Sequence, residues 1–488
     1  MANRDIVARS LAAVWHPCTQ MKAHERFPLV PVARGNGAWL EDFEGRRFVD
    51  GVSSWWVNLF GHSHPAINAA IADQLGSLEH AMLAGFTHEP VVELSERLAK
   101  LAPPGLGHAF YASDGASATE IALKMACHYW ANRGRPGKNR VVYLEGSYHG
   151  ETLGALSVTD VPVFRDAYAA LVRRNLVTPF PARHSGSREF QCENCAIEAA
   201  GALAKLLADS ADGIAAIIVE PMVQGASGMR MYHPLFLRRV RELATEHEVL
   251  VIADEIMTGF GRTGTMFAWE QAFLSPHSSQ PTAQSPSPQP SPGGRGSPFL
   301  PSPSGEGSGV RRGEGSGVRP MFSPDLLCLS KGITGGYLPL SCVLSTDEIY
   351  GAFYDDSTAR AFLHSHSYTG NPLACRAACK VLDLFEEGRV IEANRVKAKR
   401  FDRIAAPLAA HPAVHDWRRL GMIWAFEVAT DSPAFAQQAF ELAMRHRALL
   451  RPIGNTVYFM PTYATDDDAF EVLVDAGTAI ADTLGQRG

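Results

Sequence analysis

The chain has 488 residues, 46% hydrophobic and 20% charged, with 45 Lys and Arg against 51 Asp and Glu. That length suits a two-domain globular protein, and the slightly acidic balance lacks the basic footprint of a nucleic-acid binder. No run of about 18 apolar residues predicts a membrane span. The opening stretch MANRDIVARSLAAVWHPCTQ lacks the apolar core of a signal peptide. Eight cysteines spread over this length make no disulfide framework. Reduced thiols and a cytoplasmic setting are therefore expected.

In chain order, WLEDFEGRRFVDG (Trp39–Gly51) reads as a hairpin. Helical periodicity follows at Pro90–Leu101, Ala118–Asn132 and Pro234–His247. Short apolar runs at Val141–Leu144, Ile214–Val219, Val249–Ala253, Leu326–Leu329 and Leu340–Leu344 read as buried strands. This alternation predicts an α/β fold, with a mostly parallel sheet covered by helices in a large domain at about residues 61–347. From about residue 348 onward, helices mix with short strands at Met422–Glu427 and Thr456–Met460. A smaller α+β domain is expected there, completed by residues 1–60. One segment, Ser275–Pro320, is almost all Ser, Pro, Gly and Gln, and repeats GEGSGV at Gly305–Val310 and Gly313–Val318. Its few apolar residues cannot offset the entropy of ordering it, so a disordered surface insertion is expected. It is not read as a domain linker, because DEIMTGFGRTG before it and CLSKGITGG after it belong to one pattern.

That pattern is a set of polar residues at strand ends, where open α/β sheets bind ligands. Asp254 follows VLVIA, Lys331 follows LLCLS, Tyr148 and His149 follow VVYLEGS, and Glu220 ends IAAIIV, with Gln224 close behind. A buried carboxylate and a lysine suit pyridoxal phosphate: the amine bonds to its aldehyde, and the carboxylate keeps the pyridine nitrogen protonated. The small-residue turn Ser113–Ser117, at the start of a helix, offers backbone N–H donors to a phosphate. Tyr148 supplies an aromatic ring for the cofactor face. Each feature has an ordinary alternative: an Asp after a strand is often a helix cap, a Lys after a strand a solvated loop residue, and the turn an N-cap. Their joint order is the signal.

Other motifs carry less. GFGRTG (Gly259–Gly264) fits a dinucleotide fingerprint, but residues intervene between it and the strand, FAWEQAF then runs into the insertion, and no acidic residue sits suitably after a following strand. Cys192 and Cys195 form a lone C-x-x-C without a second ligand pair. His62 and His64 are expected to make structural hydrogen bonds in a turn. His364 and His366 are candidate metal ligands on spacing alone. No metal site is expected.

Taken together, DGASATEIALKMA, YHGETLGALSVT, EPMVQGASGMRMY, IADEIMTGFGRTG, SKGITGG and SYTGNPLA resemble the class III aminotransferases of pyridoxal-phosphate fold type I, over essentially the whole chain outside the insertion. The segments WHPCTQM, DGVSSWWVNLFGHSHP and RPIGNTVYFMPTY are similar to the branch that moves an amino group from S-adenosylmethionine to 8-amino-7-oxononanoate, giving 7,8-diaminononanoate for biotin. The resemblance implies Lys331 as the lysine bonded to the cofactor and Asp254 at its ring nitrogen. It implies Gly115 and Ala116 at the phosphate, Tyr148 stacked on the ring, Trp55 lining the substrate channel and Arg451 pairing with the substrate carboxylate. Ser367 would reach the phosphate of a neighbouring subunit, with Ser365 beside it on the substrate side, so a homodimer is implied.

The sequence departs from relatives at Cys18, where tyrosine is frequent, and at Ala116, where serine is common and Ser117 would supply the donor instead. It departs again at Ser365–His366, which replace a Gly-Pro pair. These departures bear on the amino donor, since relatives use adenosylmethionine or lysine. The alternative readings are an ω-aminotransferase acting on ornithine derivatives, diamines or ω-amino acids, an aminomutase of the same fold, and a non-enzymatic pyridoxal-phosphate-binding regulator. The last would bring a basic DNA-binding module, and no region here resembles one.

Overall fold

The structure, a computed structural model, describes residues 2–25, 27, 29–181, 192–274 and 323–485. The stretch expected to be a disordered insertion lies outside the described residues. The centre is a seven-stranded sheet: β1 (Leu106–Ala112), β2 (Arg140–Leu144), β3 (Leu176–Thr178), β4 (Ile214–Val219), β5 (Leu250–Asp254), β6 (Leu326–Leu329) and β7 (Ser341–Thr346). Its spatial order is β1-β7-β6-β5-β4-β2-β3. Strands β6, β5, β4, β2 and β3 run parallel, and only β7 is antiparallel to both its neighbours. The expected mostly parallel sheet is thus present.

Both faces are covered, and the period-2 alternation of the strands decides which side chain goes where. Along β5, Val251 and Ala253 enter one core with Phe236 and Val240 of the helix Leu235–Glu246. Leu250 and Ile252 enter a second core with Ile121, Ala122 and Met125 of the helix Gly115–Asn132. Burial on both sides is why these strands read as unbroken apolar runs.

The expected hairpin forms, with Trp39–Asp42 antiparallel to Arg47–Asp50. Its second strand pairs in parallel with Ala448–Leu449, joining N-terminal to C-terminal residues in a four-stranded sheet. A three-stranded antiparallel sheet is built from Val414–Leu420, Ile423–Val428 and Thr456–Phe459. The parts are locked by Arg262, which is 1% exposed. Its guanidinium donates to the carbonyls of Pro461 at 2.9 Å and Asn58 at 2.9 Å. The segment that resembled a dinucleotide fingerprint is therefore a packing joint. A Cβ at Gly421 would lie 2.3 Å from the Thr263 carbonyl carbon, so glycine there permits the close approach.

Candidate active site

Adjacent strands in the order β6, β5, β4 and β2 deliver Lys331, Asp254, Glu220 and Tyr148–His149 to one rim of the sheet. There they line a cavity of about 330 Å3 together with Trp56, Gly115, Ala116 and Thr258. Lys331 sits at φ +46°, in the left-handed region that a non-glycine residue adopts only when its surroundings hold it there. Its Nζ lies 4.7 Å from the centroid of the Trp56 ring. Burial pushes its amine down to about 8, against the opposing pull of Asp254 and Glu220.

Asp254 is 4% exposed. Its Oδ2 lies 2.6 Å from His149 Nδ1, and its Oδ1 accepts from the Ile256 N–H at 3.0 Å. A carboxylate only accepts, so Nδ1 is the protonated nitrogen of that imidazole. The other nitrogen, Nε2, is buried with no hydrogen-bond partner among the described residues. Glu220 accepts from the N–H groups of Tyr148 and Gly225, each at 3.0 Å. Burial nonetheless raises its carboxyl to about 7. Tyr148 donates its hydroxyl to Glu151 Oε1 at 2.9 Å, and burial and that carboxylate push the phenol upward.

The helix Gly115–Asn132 starts at the cavity wall. The first N–H groups of a helix have no partner within it, and that of Ser117 is taken by Asp114 Oδ1 at 2.9 Å. The N–H groups of Gly115 and Ala116 remain for a ligand. The hydroxyl of Ser117 donates to Asp114 Oδ2 at 2.9 Å. This corrects the expectation that Ser117 replaces the side-chain donor absent at Ala116.

Sequence reasoning named the tryptophans but missed the backbone that presents them. Ser53, Ser54, Trp55 and Trp56 all have positive φ, at +50°, +47°, +71° and +72°. Left-handed backbone costs roughly 1–2 kcal/mol per residue, so this turn persists only because it is anchored. Asp50 accepts from the Ser54 N–H at 2.9 Å and the Ser54 hydroxyl at 2.7 Å. Ser53 donates to the Met460 carbonyl at 2.7 Å, and the Trp56 indole to the Tyr458 hydroxyl at 3.0 Å. A run of two serines and two tryptophans carries no sequence signal for that conformation.

The turn directs the two tryptophans differently. Trp56 lines the Lys331 cavity, whereas Trp55 is 41% exposed, with the Arg451 guanidinium 4.5 Å from its ring centroid. Arg451 also donates to the Cys18 carbonyl at 3.3 Å. Trp55 and Arg451 thus stand together outside the cavity. Ser365 and Ser367 are exposed and are not among its lining residues, so a single chain does not bring them to Lys331.

The remaining motifs resolve structurally. Cys192 Sγ caps the helix Glu193–Ser210 by accepting from the Cys195 N–H at 3.3 Å. His364 faces Lys124 Nζ at 2.8 Å and His366 at 3.3 Å. His62 bonds Asp50 and Asn58, but His64 Nδ1 has no partner among the described residues, contrary to expectation. No group of three metal-ligating side chains occurs among the described residues.

A lysine and a paired carboxylate at adjacent strand ends, with a helix start in the same cavity, define the site of an aminotransferase. The chain belongs to the class-III aminotransferases, whose family profile matches residues 20–277 and 317–480. The unmatched interval falls within the Ser/Pro/Gly-rich stretch. Among individual proteins, the chain is 38% identical to the adenosylmethionine-8-amino-7-oxononanoate aminotransferase of Helicobacter pylori, over 99% of each chain. It is 35% identical to that of Aquifex aeolicus, over 94% of this chain and 93% of that one. The fold is similar to the crystal structure of the Methanocaldococcus jannaschii protein of the same name, with a TM-score of 0.84, 29% identity, and 99% and 100% of the two chains covered. It is also similar to an amine transaminase from an uncultivated Pseudomonas species in its PLP-bound form, with a TM-score of 0.80, 28% identity, and 97% and 99% covered.

Proposed function

We propose that the chain transfers an amino group from S-adenosylmethionine to 8-amino-7-oxononanoate, giving 7,8-diaminononanoate in biotin synthesis. The cofactor is pyridoxal phosphate. It supplies an aldehyde for the amine and a ring that draws electrons from the reacting carbon. The residues present fit it. Lys331 would hold the aldehyde and Asp254 the ring nitrogen, Gly115 and Ala116 would give N–H groups to the phosphate, and Tyr148 would cover the ring. With its amine lowered to about 8, Lys331 is partly neutral near neutral pH, so its Nζ can take a proton from the substrate carbon and return it. Trp56 excludes water from that amine.

The observation that carries the substrate reading is the pairing of Trp55 with Arg451, next in the chain to the Trp56 that lines the cavity. A flat aromatic wall ending in a guanidinium suits a long apolar keto acid with one terminal carboxylate. The test is product formation by the holoenzyme from 8-amino-7-oxononanoate with adenosylmethionine or lysine as donor, read by mass spectrometry. Diaminononanoate is expected with adenosylmethionine. Product from lysine alone would transfer the donor role, and product from neither would return the chain to the wider ω-aminotransferases.

The working unit is a homodimer. Ser365 and Ser367 lie on a segment that also exposes Leu363 at 81% and Tyr368 at 66%, an apolar surface that a second copy would cover. Light scattering at micromolar concentration should give twice the chain mass. The proposed setting is the cytoplasm, in keeping with eight free cysteines and with no described helix long and apolar enough to cross a membrane.

A further inference from the structure

We infer that a second cavity, on the other side of the Arg262 joint, binds an organic phosphate of the nucleoside monophosphate class. The cavity measures about 450 Å3 and shares no lining residue with the Lys331 cavity. It opens between the helix Val390–Ala409 and the stretch from Thr263 to Leu274.

Its lining carries three cations, Arg395, Lys399 and Arg419, and no carboxylate. Arg395 holds the Gly264 carbonyl through Nε at 3.0 Å, and Arg419 pairs through Nε with Asp402 at 2.9 Å and donates through one terminal nitrogen to the Gly421 carbonyl at 3.2 Å. Each therefore keeps guanidinium donors beyond those contacts. Lys399 is exposed and has no ion pair among the described residues. Asn394 lines the same cavity and is 4% exposed, and its Nδ2 has no hydrogen-bond partner among the described residues. A buried amide donor without an acceptor is destabilising, and an anionic ligand would supply the acceptor.

Size and floor narrow the ligand. Pockets for whole organic ligands begin near roughly 300 Å3, and a bare inorganic anion fills far less. Met222, Leu420 and Met422 make an apolar floor on which a flat ring can lie. Arg395, Lys399 and Arg419 line the same cavity, and guanidinium groups fork onto phosphate oxygens.

The test uses the holoenzyme and calorimetric titration with AMP, adenosine and inorganic phosphate. AMP is expected to bind saturably, and adenosine and phosphate at least tenfold more weakly, since each has only half of the complementary chemistry. Lys399→Glu should weaken AMP by roughly tenfold or more through loss and reversal of one charge. Asn394→Leu should weaken it too without lowering the melting temperature, because no existing hydrogen bond is lost. The inference is overturned by absence of saturable AMP binding or by affinity unchanged in both variants. Equal binding of phosphate alone would also overturn it, since that would mark an adventitious ion site, and so would equal binding of adenosine, since that would mark the active-site cavity.

Discussion

Asp254 and His149 meet at 2.6 Å in the floor of the cavity, both of them at most 4% exposed. The imidazole fixes one carboxylate oxygen and the Ile256 N–H fixes the other, so the carboxylate has no freedom to turn.

Removing the carboxylate and removing its support should have different effects. Asp254→Ala is expected to reduce turnover by several orders of magnitude while cofactor stays bound, because the ring nitrogen loses its counter-charge. His149→Ala removes a single charge-assisted hydrogen bond, about 1.5–3 kcal/mol, and should lower turnover by roughly ten- to a hundredfold. Steady-state rates of both variants decide it. An Asp254→Ala enzyme within a few-fold of the parent would remove the proposed role.

Lys331→Ala should abolish both covalent cofactor attachment and turnover. In the cofactor-free protein, the folded lysine titrates near 8, below its ordinary value. Between pH about 8 and about 10.4 the unfolded chain therefore holds a proton that the folded chain has released. This group's contribution to stability then rises with pH across that window. Urea unfolding of cofactor-free protein should show that rise, and Lys331→Met should lack it. Identical slopes in the two proteins would mean that the lysine is not buried as described.

Arg451→Ala should lower kcat/KM for 8-amino-7-oxononanoate by roughly ten- to a hundredfold, towards the lower end because the guanidinium is exposed. Arg451→Lys should recover only part, since an ammonium neither forks nor stacks as a guanidinium does. The adenosylmethionine half-reaction should fall less, since that carboxylate lies beside the reacting carbon. Single-turnover rates of each half separate these effects. Equal loss in both halves would contradict the assignment.

Asp50→Ala should unfasten the left-handed turn. The Ser54 N–H and hydroxyl both lose their acceptor, and His62 Nε2 loses its partner at 2.9 Å. Loss of at least about 2 kcal/mol of stability is expected, with a change in tryptophan fluorescence. An Asp50→Ala protein with unchanged stability and emission would show that the turn needs no such anchor.

The central sheet was legible because strands buried on both faces are written as apolar runs, as at Ile214–Val219, whose limits match the strand. The positions of Lys331 and Asp254 at adjacent strand ends were legible for the same reason. The antiparallel direction of β7 was not, since an apolar run such as Leu340–Leu344 records burial and not direction. Nor was the support of the site: the bond from His149 to Asp254 spans 105 positions, and that from Trp56 to Tyr458 spans 402. Such partners are set by the tertiary fold and leave no local pattern. Ser117 shows the opposite error, because its proximity to the turn suggested a free hydroxyl that the N-cap had already claimed.

The anchoring of the left-handed turn also sets an order of assembly. The rim that carries Lys331 and Asp254 needs only residues up to β7, but the wall leans on the segment Tyr458–Tyr463. Ser53 requires the Met460 carbonyl, Trp56 the Tyr458 hydroxyl, and Leu59 receives the Tyr463 N–H at 2.6 Å. A chain emerging from the ribosome therefore holds its reactive amine before it can hold the tryptophan that shelters it. A chain cut short before Tyr458 would retain the chemical groups without the enclosure around them.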